Sequence, residues 1–388
     1  MTMICGIIAE YDPFHNGHAW QLREARRLTQ ADHMICVISG SFTQRGMPAL
    51  LAPHQRAQMA LDAGADLVLQ MPYSFSVCNA ERFALGGVYI LTQLGVEALC
   101  FGVEQDSIPI IENAAALLES PSDIFKKQLR QALDAGDSFP KAQGQALAQS
   151  LHADPALFSM PNAALGICYA RANLRLNAGM RLFPVPRSGQ YHDSTLPGDG
   201  TLPSATAVRA AILSGDWKQV QNSVPEKAFE IIEEAYRSRN YHEPGSLDFL
   251  LRWKLRQQKG FTHLPDLSEG IENRLVLASD CTNREAMVHA IKSKRYSYAR
   301  INRLLSHVLT DTDERCIAAL PPYAYTLGFL QKASPLLKNA KENGFSVYSN
   351  AVSGLCYDMD LDIKADDLWA LGAGKTFGAI FRDKPIIL

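Results

Sequence analysis

The first hundred residues alternate short apolar runs with amphipathic stretches, and this alternation restricts the fold more than any other feature. Strands that are each followed by a helix become neighbours through crossover connections, which gives a parallel sheet covered on both faces. The apolar runs predict strands over Met3–Ala9, His33–Ser39, Asp66–Met71 and Ala98–Val103. Helical spacing lies between them at Gly17–Thr29, at Pro53–Ala63 with a proline in its first turn, and at Glu81–Leu94. In open α/β sheets a ligand sits beyond the carboxyl ends of the strands. The loops Glu10–Asn16, Gly40–Pro48 and Gly102–Ser107 are therefore expected to face one crevice.

Further along, 108–150 turns helical, Pro161–Asn177 reads as another helix, Arg181–Pro186 as a late strand and Arg187–Leu202 as a polar loop. Ser204–Ser214 returns to helical spacing, with Ala207, Ala211 and Ile212 on one side and Gly215 as its stop. A break at Glu243-Pro244-Gly245 precedes helical stretches at Ser246–Gln258, Leu267–Ala278, Asn283–Ile291 and Tyr296–Leu309. The expected fold class is α/β: a Rossmann-like N-terminal domain over 1–215 with a helical insertion near 108–180, then a mainly helical region over 216–310. A small mixed α/β region is expected over 311–388.

With 38 basic and 40 acidic residues, a formal net charge of −2, the chain lacks the bulk positive charge of many nucleic-acid binders, so any such contact needs a local patch. No apolar run approaches the roughly 20 residues that cross a bilayer. The opening Met1-Thr2-Met3 enters a strand without a charged leader segment, and a cytoplasmic location is expected. The eight cysteines form no CxxC pair, which argues for small buried hydrophobes rather than a disulfide or zinc framework.

The segment richest in chemistry is Ile8-Ala9-Glu10-Tyr11-Asp12-Pro13-Phe14-His15-Asn16-Gly17-His18, with Gln21 one turn on. It joins a strand, a tight loop and an HxGH pattern at a helix start. Helix N-terminal amides favour an anion, Gly17 lets backbone approach it, and two imidazoles can donate to phosphate oxygens as charge develops there. HxGH in this position resembles the nucleotidyltransferase superfamily, which implies attack on the α-phosphate of a nucleoside triphosphate with His15 and His18 stabilising the transition state. Ser204-Ala205-Thr206-Ala207-Val208-Arg209 resembles that superfamily's late motif, in which Ser204, Thr206 and Arg209 would close on the triphosphate. Taken alone it reads as an ordinary N-capped helix.

Further segments are similar to the tRNA(Met) cytidine acetate ligase family: Ser39-Gly40-Ser41-Phe42-Thr43-Gln44-Arg45-Gly46, Pro161-Asn162, Leu165-Gly166, Arg187, Gly189, Tyr191-His192-Asp193, Glu269-Gly270-Ile271-Glu272-Asn273-Arg274 and Lys294-Arg295-Tyr296. The resemblance spans nearly the whole chain. It implies an enzyme that activates acetate with ATP as acetyladenylate and acetylates the wobble cytidine of elongator tRNA(Met). Magnesium is expected to accompany the ATP. The resemblance adds Gly102, Asn162 and Arg187 to the nucleotide site. Ser41, Thr43 and Met47 stand where the family has Asn, a β-branched apolar residue and an acid, and Asp12 stands where Asn is usual. Asp12 either helps hold magnesium or closes an Asx-turn, and the turn is the favoured reading. Arg45 is a candidate for contact with triphosphate or tRNA.

Over 284–303, Arg284, Lys292, Lys294, Arg295, Arg300 and Arg303 outnumber the lone acid Glu285, with Tyr296 and Tyr298 interleaved. At helical spacing Lys292, Arg295, Arg300 and Arg303 share much of one face while Ile301, Leu304 and Leu305 turn inward. Lys292, Lys294, Arg295, Arg300 and Arg303 are thus the candidates for tRNA contact, through backbone charge and stacking on exposed bases. A small-molecule adenylyltransferase that needs only the HxGH and late motifs is the competing reading.

Overall fold

The computed structural model describes residues 2–105, 108–186, 203–258, 260–267, 270–293 and 296–388. Its centre is one eight-stranded sheet of order β5-β4-β1-β2-β3-β6-β7, with β8 also paired to β6. The strands are β1 (Ile4–Ala9), β2 (His33–Ser39), β3 (Leu67–Met71), β4 (Ala98–Val103), β5 (Arg181–Pro186), β6 (Tyr323–Phe329), β7 (Ser346–Tyr348) and β8 (Ile386–Ile387). β1 to β5 are mutually parallel, as the crossover pattern requires.

Alternation along each strand divides the core. Ile8, Val37 and Leu69 pack with Phe83, Val88 and Leu91 on one face, while Ile7, Cys36 and Val68 pack with Leu22, Ala57 and Ala60 on the other. Each of the larger side chains among these, Val, Leu, Ile or Phe, contributes about 1.5–3 kcal/mol on burial. Between β4 and β5 the chain makes helices Ile108–Glu119, Asp123–Asp134, Phe139–Leu151 and Pro161–Arg175. Helices Asp248–Gln257, Ile271–Ala278, Arg284–Ile291 and Tyr298–Thr310 enclose a separate apolar cluster that also contains Phe42 from the loop after β2 and Tyr73 from the short helix Tyr73–Ser76 after β3. The helical region therefore packs directly on loops at the carboxyl end of the sheet.

The last part of the chain carries both strands and helices. β6 pairs antiparallel with β3, so the C-terminal strands extend the first sheet. The edge of β3 would otherwise present unpaired backbone groups. The partner strand lies more than 250 residues away, a pairing with no local signature in either segment.

The Tyr357–Gly372 helix seals this junction with three carboxylates spaced four residues apart. Asp358 accepts from the Ser74 hydroxyl, Asp362 from the Tyr73 amide (2.6 Å) and the Tyr323 hydroxyl (2.6 Å), and Asp366 from Ser41 (3.1 Å). Burial pushes Asp362 up to about 8, against the opposing pull of those two donors. An unfolded aspartate titrates near about 3.9. Between those pH values only the unfolded chain releases this proton, so Asp362 stabilises the fold fully below the lower value and loses that contribution as pH rises toward 8. Asp362→Asn should therefore flatten the fall in unfolding free energy between pH 5 and pH 8. Urea titrations at both pH values test this, and an unchanged slope against pH would show that the carboxyl is ionised in the fold.

Candidate active site

The loop after β1 is stiff. Tyr11 takes a left-handed φ of 53° and is buried, its hydroxyl 3.3 Å from Cys36 Sγ, and Phe14 is fully buried beside it. Extended His15 caps the helix Asn16–Thr29, its Nδ1 accepting from the Gly17 amide at 3.1 Å. The His15 amide donates to His18 Nδ1 at 3.3 Å. The two rings stack with centroids 3.8 Å apart, and Tyr11 and Phe14 flank the His18 ring at 4.9 and 5.5 Å. Because each Nδ1 accepts from a backbone N–H, the neutral form of each ring carries its proton on Nε2. The pattern thus makes both Nε2 groups donors at a helix N-terminus.

Beneath this loop lies Arg56, fully buried. It donates to the carbonyls of Leu51 (3.1 Å), Glu10 (2.6 Å), Ser39 (3.0 Å) and Gly40, tying the ends of β1 and β2 together. Burial lowers its pKa to about 10, which leaves it charged at neutral pH. The carboxylate of Glu10 accepts from the Gln44 amide at 2.5 Å. Burial raises its pKa, opposed by that hydrogen bond and by Arg45, Arg56 and Arg209. Glu10 and Asp12 are thus outnumbered by three arginines where the strands end.

Asp12 neither closes an Asx-turn nor stands open toward a metal. Its Oδ1 accepts from the Leu50 amide at 2.7 Å and its Oδ2 pairs with Arg209. This ion pair joins the first loop to the helix Ala205–Ser214, so two motifs almost 200 residues apart in sequence converge. Ser204 caps that helix through the Ala207 amide (3.2 Å), and Thr206 is exposed on its first turn. Burial lowers Arg209 to about 10, with Glu10 opposing. Among the described residues no three His, Cys, Asp or Glu side chains group as metal ligands.

On the other side of β1, Gly102 lies in β4 and Asn162 opens the helix Pro161–Arg175. Glu104 accepts from the Asn162 amide (2.9 Å), from its Nδ2 (2.8 Å) and from the Ala163 amide (3.1 Å). A carboxylate there complements the positive helix end. Gln21 is half-buried on the first helix. Arg187, with the rest of the 187–202 loop, lies outside the described residues.

The basic stripe is not as helical spacing suggests. Arg303 is only 7 % exposed, pairing with Asp266 at 2.6 Å, and Arg300 donates to the Asp266 carbonyl at 2.9 and 2.6 Å. A turn centred on Asp266, with φ of 63°, brings these acceptors over the helix, and no periodicity within the helix reports a loop from elsewhere. Lys292 lies 5.1 Å from the ring of Tyr298, which is exposed, whereas Tyr296 is buried. Lys294 and Arg295 lie outside the described residues. Sequence reasoning also passed over Arg56 and Glu104. The available signal for Arg56 was an arginine set among Ala57, Met59 and Ala60 on a buried helix face.

The family model described as HIGH Nucleotidyl Transferase matches residues 1–378. The chain is 31% identical over 403 residues to a tRNA(Met) cytidine acetate ligase of Clostridium perfringens, covering 99% of each chain. It is 33% identical over 386 residues to one of Clostridium acetobutylicum, covering 95% of each. Among solved structures it is similar to Thermotoga maritima TmcAL without ligand, with TM-score 0.91 and 26% identity over 100% of both chains. The same protein bound with alpha-thio ATP aligns over 100% of both chains with TM-score 0.89 and 26% identity.

Proposed function

Because this chain belongs to the HIGH nucleotidyltransferase family, and within it to the tRNA(Met) cytidine acetate ligases, we propose that it acetylates the wobble cytidine of elongator tRNA(Met) at the expense of ATP. It is an ATP-dependent carbon–nitrogen ligase. The observation that carries the site assignment is the stacked His15/His18 pair, both Nδ1 atoms held by backbone amides at a helix start.

An acetate oxygen attacks the α-phosphorus, the bond to the β-phosphate oxygen breaks, and pyrophosphate leaves. The Nε2 protons of His15 and His18 meet the phosphate oxygens as negative charge gathers on them, and Arg209, braced by Asp12, adds a cation on the same side. No covalent enzyme intermediate is needed. The exocyclic amine of cytidine then attacks the acetyl carbon, AMP departs and the nitrogen loses a proton. Acetate itself resists such an amine until its oxygen becomes part of a good leaving group.

Ile8 to His18, Gln21, Gly102, Asn162, Arg187, Ser204, Thr206 and Arg209 are the proposed ATP contacts. Magnesium, when bound with the triphosphate, would screen its charge. The engaged Asp12 and the absence of a ligand cluster among the described residues favour a metal held mainly by phosphates and water. Lys292 and Arg300, with Lys294 and Arg295, are the proposed tRNA contacts, while paired Arg303 serves the fold. No helix of the described residues is long and apolar enough to cross a membrane. A cytoplasmic location fits a tRNA substrate.

Mass spectrometry of elongator tRNA(Met) after incubation with ATP, magnesium and labelled acetate tests this reading. The expected result is an ATP-dependent acetyl label on the wobble cytidine. Unlabelled tRNA, with pyrophosphate released only in the presence of a different small acid or phosphate ester, would make the protein a small-molecule adenylyltransferase.

A further inference from the structure

We propose that Arg284 and Ser306 are positioning residues for the activation step, acting through the Gly46 carbonyl to hold Arg45 against the phosphates of ATP. The proposal rests on reading the site as an acetate-activating centre. Arg45 stands at the tip of a narrow turn. Phe42 bridges to Pro48, the Thr43 amide donates to the Met47 carbonyl at 2.8 Å, and the Gly46 amide donates back to the Thr43 carbonyl at 2.9 Å.

Each flank of the tip is anchored to a different body. On the near side the Gln44 amide donates to Glu10 (2.5 Å) and its side-chain amide to the Cys78 carbonyl (2.7 Å). On the far side the Gly46 carbonyl accepts from Arg284 Nη2 at 2.7 Å and from the Ser306 hydroxyl at 2.5 Å. Arg284 is itself fixed by Asn302 Oδ1 (3.1 Å), the Asn302 carbonyl (2.7 Å) and Ser306 Oγ (3.0 Å). Its charge, which the sequence counts toward an RNA surface, is turned into the protein.

Gly46 makes the close approach possible. Its φ is 78°, and a Cβ there would lie 2.3 Å from the Arg303 backbone nitrogen, so the turn rests directly on the Tyr298–Thr310 helix. Between the two anchors, Arg45 is exposed and makes no hydrogen bond or ion pair with the described residues. Its charge is near enough to Glu10 to oppose the rise in that carboxyl's pKa. A rigid turn thus carries an uncommitted cation at the carboxyl end of β2, next to the HxGH loop. An arginine so placed can bind a phosphate through paired N–H groups, and fixing its backbone removes ordering cost on binding.

The test is pyrophosphate release from ATP and acetate without tRNA, for wild type, Ser306→Ala, Arg284→Lys, Arg45→Ala and the Ser306→Ala/Arg45→Ala double variant. Losing a charge-assisted phosphate contact should raise the KM for ATP about 10- to 100-fold in Arg45→Ala. Ser306→Ala and Arg284→Lys should raise it about two- to tenfold with kcat less affected, and Ser306→Ala should add little in the Arg45→Ala background. An unchanged KM with a lowered melting temperature would reduce the contacts to ordinary packing and overturn the proposal. Effects that multiply in the double variant would overturn it too. A wild-type protein that releases no pyrophosphate from ATP and acetate would instead overturn the underlying reading of the site.

Discussion

Alanine at His15 or at His18 is expected to lower acetate-dependent pyrophosphate release by about 10²–10³ in kcat, the usual consequence of removing one donor aimed at developing negative charge. Each ring uses Nδ1 to accept from backbone, so the proposed catalytic function lies on Nε2 and the structural one on Nδ1. Both replacements should cost stability, because His15 Nδ1 and His18 Nδ1 are the two halves of one reciprocal helix cap. His15→Ala removes the acceptor at the helix cap, a loss of about 0.5–2 kcal/mol, and His15→Asn restores a capping oxygen without placing a donor where Nε2 stood. His15→Asn should therefore fold like wild type and remain inactive. If the stacked rings act on the same phosphate, as proposed, the double alanine variant should be little slower than the worse single one. Saturating-ATP kinetics on the three single variants and on the double alanine variant check this. A His18→Ala protein within tenfold of wild-type kcat would remove the imidazoles from the chemistry.

The parallel half of the fold is legible because each strand and its following helix announce themselves within one window of sequence. β2 and β4 coincide with the expected His33–Ser39 and Ala98–Val103, and the helix after HxGH runs Asn16–Thr29. What escapes is whatever depends on partners distant in the chain. β6 completes the sheet at β3, Asp266 captures two arginines of a helix that looked solvated, and Asp12 finds Arg209 rather than its own turn. Charge periodicity locates a helix face relative to that helix alone. It carries no information on which loop folds across the face. The helix-start placement of the histidines is readable because loop and cap fall within Glu10 to His18, whereas the Gly46 anchors come from residues some 240 to 260 positions later.

Arg56→Met should cost about 3–5 kcal/mol of unfolding free energy, the range for leaving buried polar partners uncompensated. The methionine fills a similar volume and is easier to bury, which removes the desolvation penalty that lowers the arginine to about 10. That gain is set against four carbonyls, those of Glu10, Ser39, Gly40 and Leu51, which converge on one guanidinium and would have no donor in its place. A single unsatisfied buried carbonyl costs about 1–3 kcal/mol, so partial relaxation of four still outweighs the easier burial of methionine. The loss should also reach the chemistry. Glu10 would lose one of the cations that oppose its raised pKa, and the ends of β1 and β2 would lose their shared clamp beneath the HxGH loop. Arg27→Met is the matched control, since among the described residues the Arg27 side chain pairs only with Glu24 on the exposed side of its helix, and the change should leave stability within about 0.5 kcal/mol of wild type. Guanidinium denaturation at pH 7 measures both. If Arg56→Met unfolds within about 1 kcal/mol of wild type, water or a backbone shift satisfies those carbonyls, and the clamp at the strand ends is not what holds the active-site loop in place.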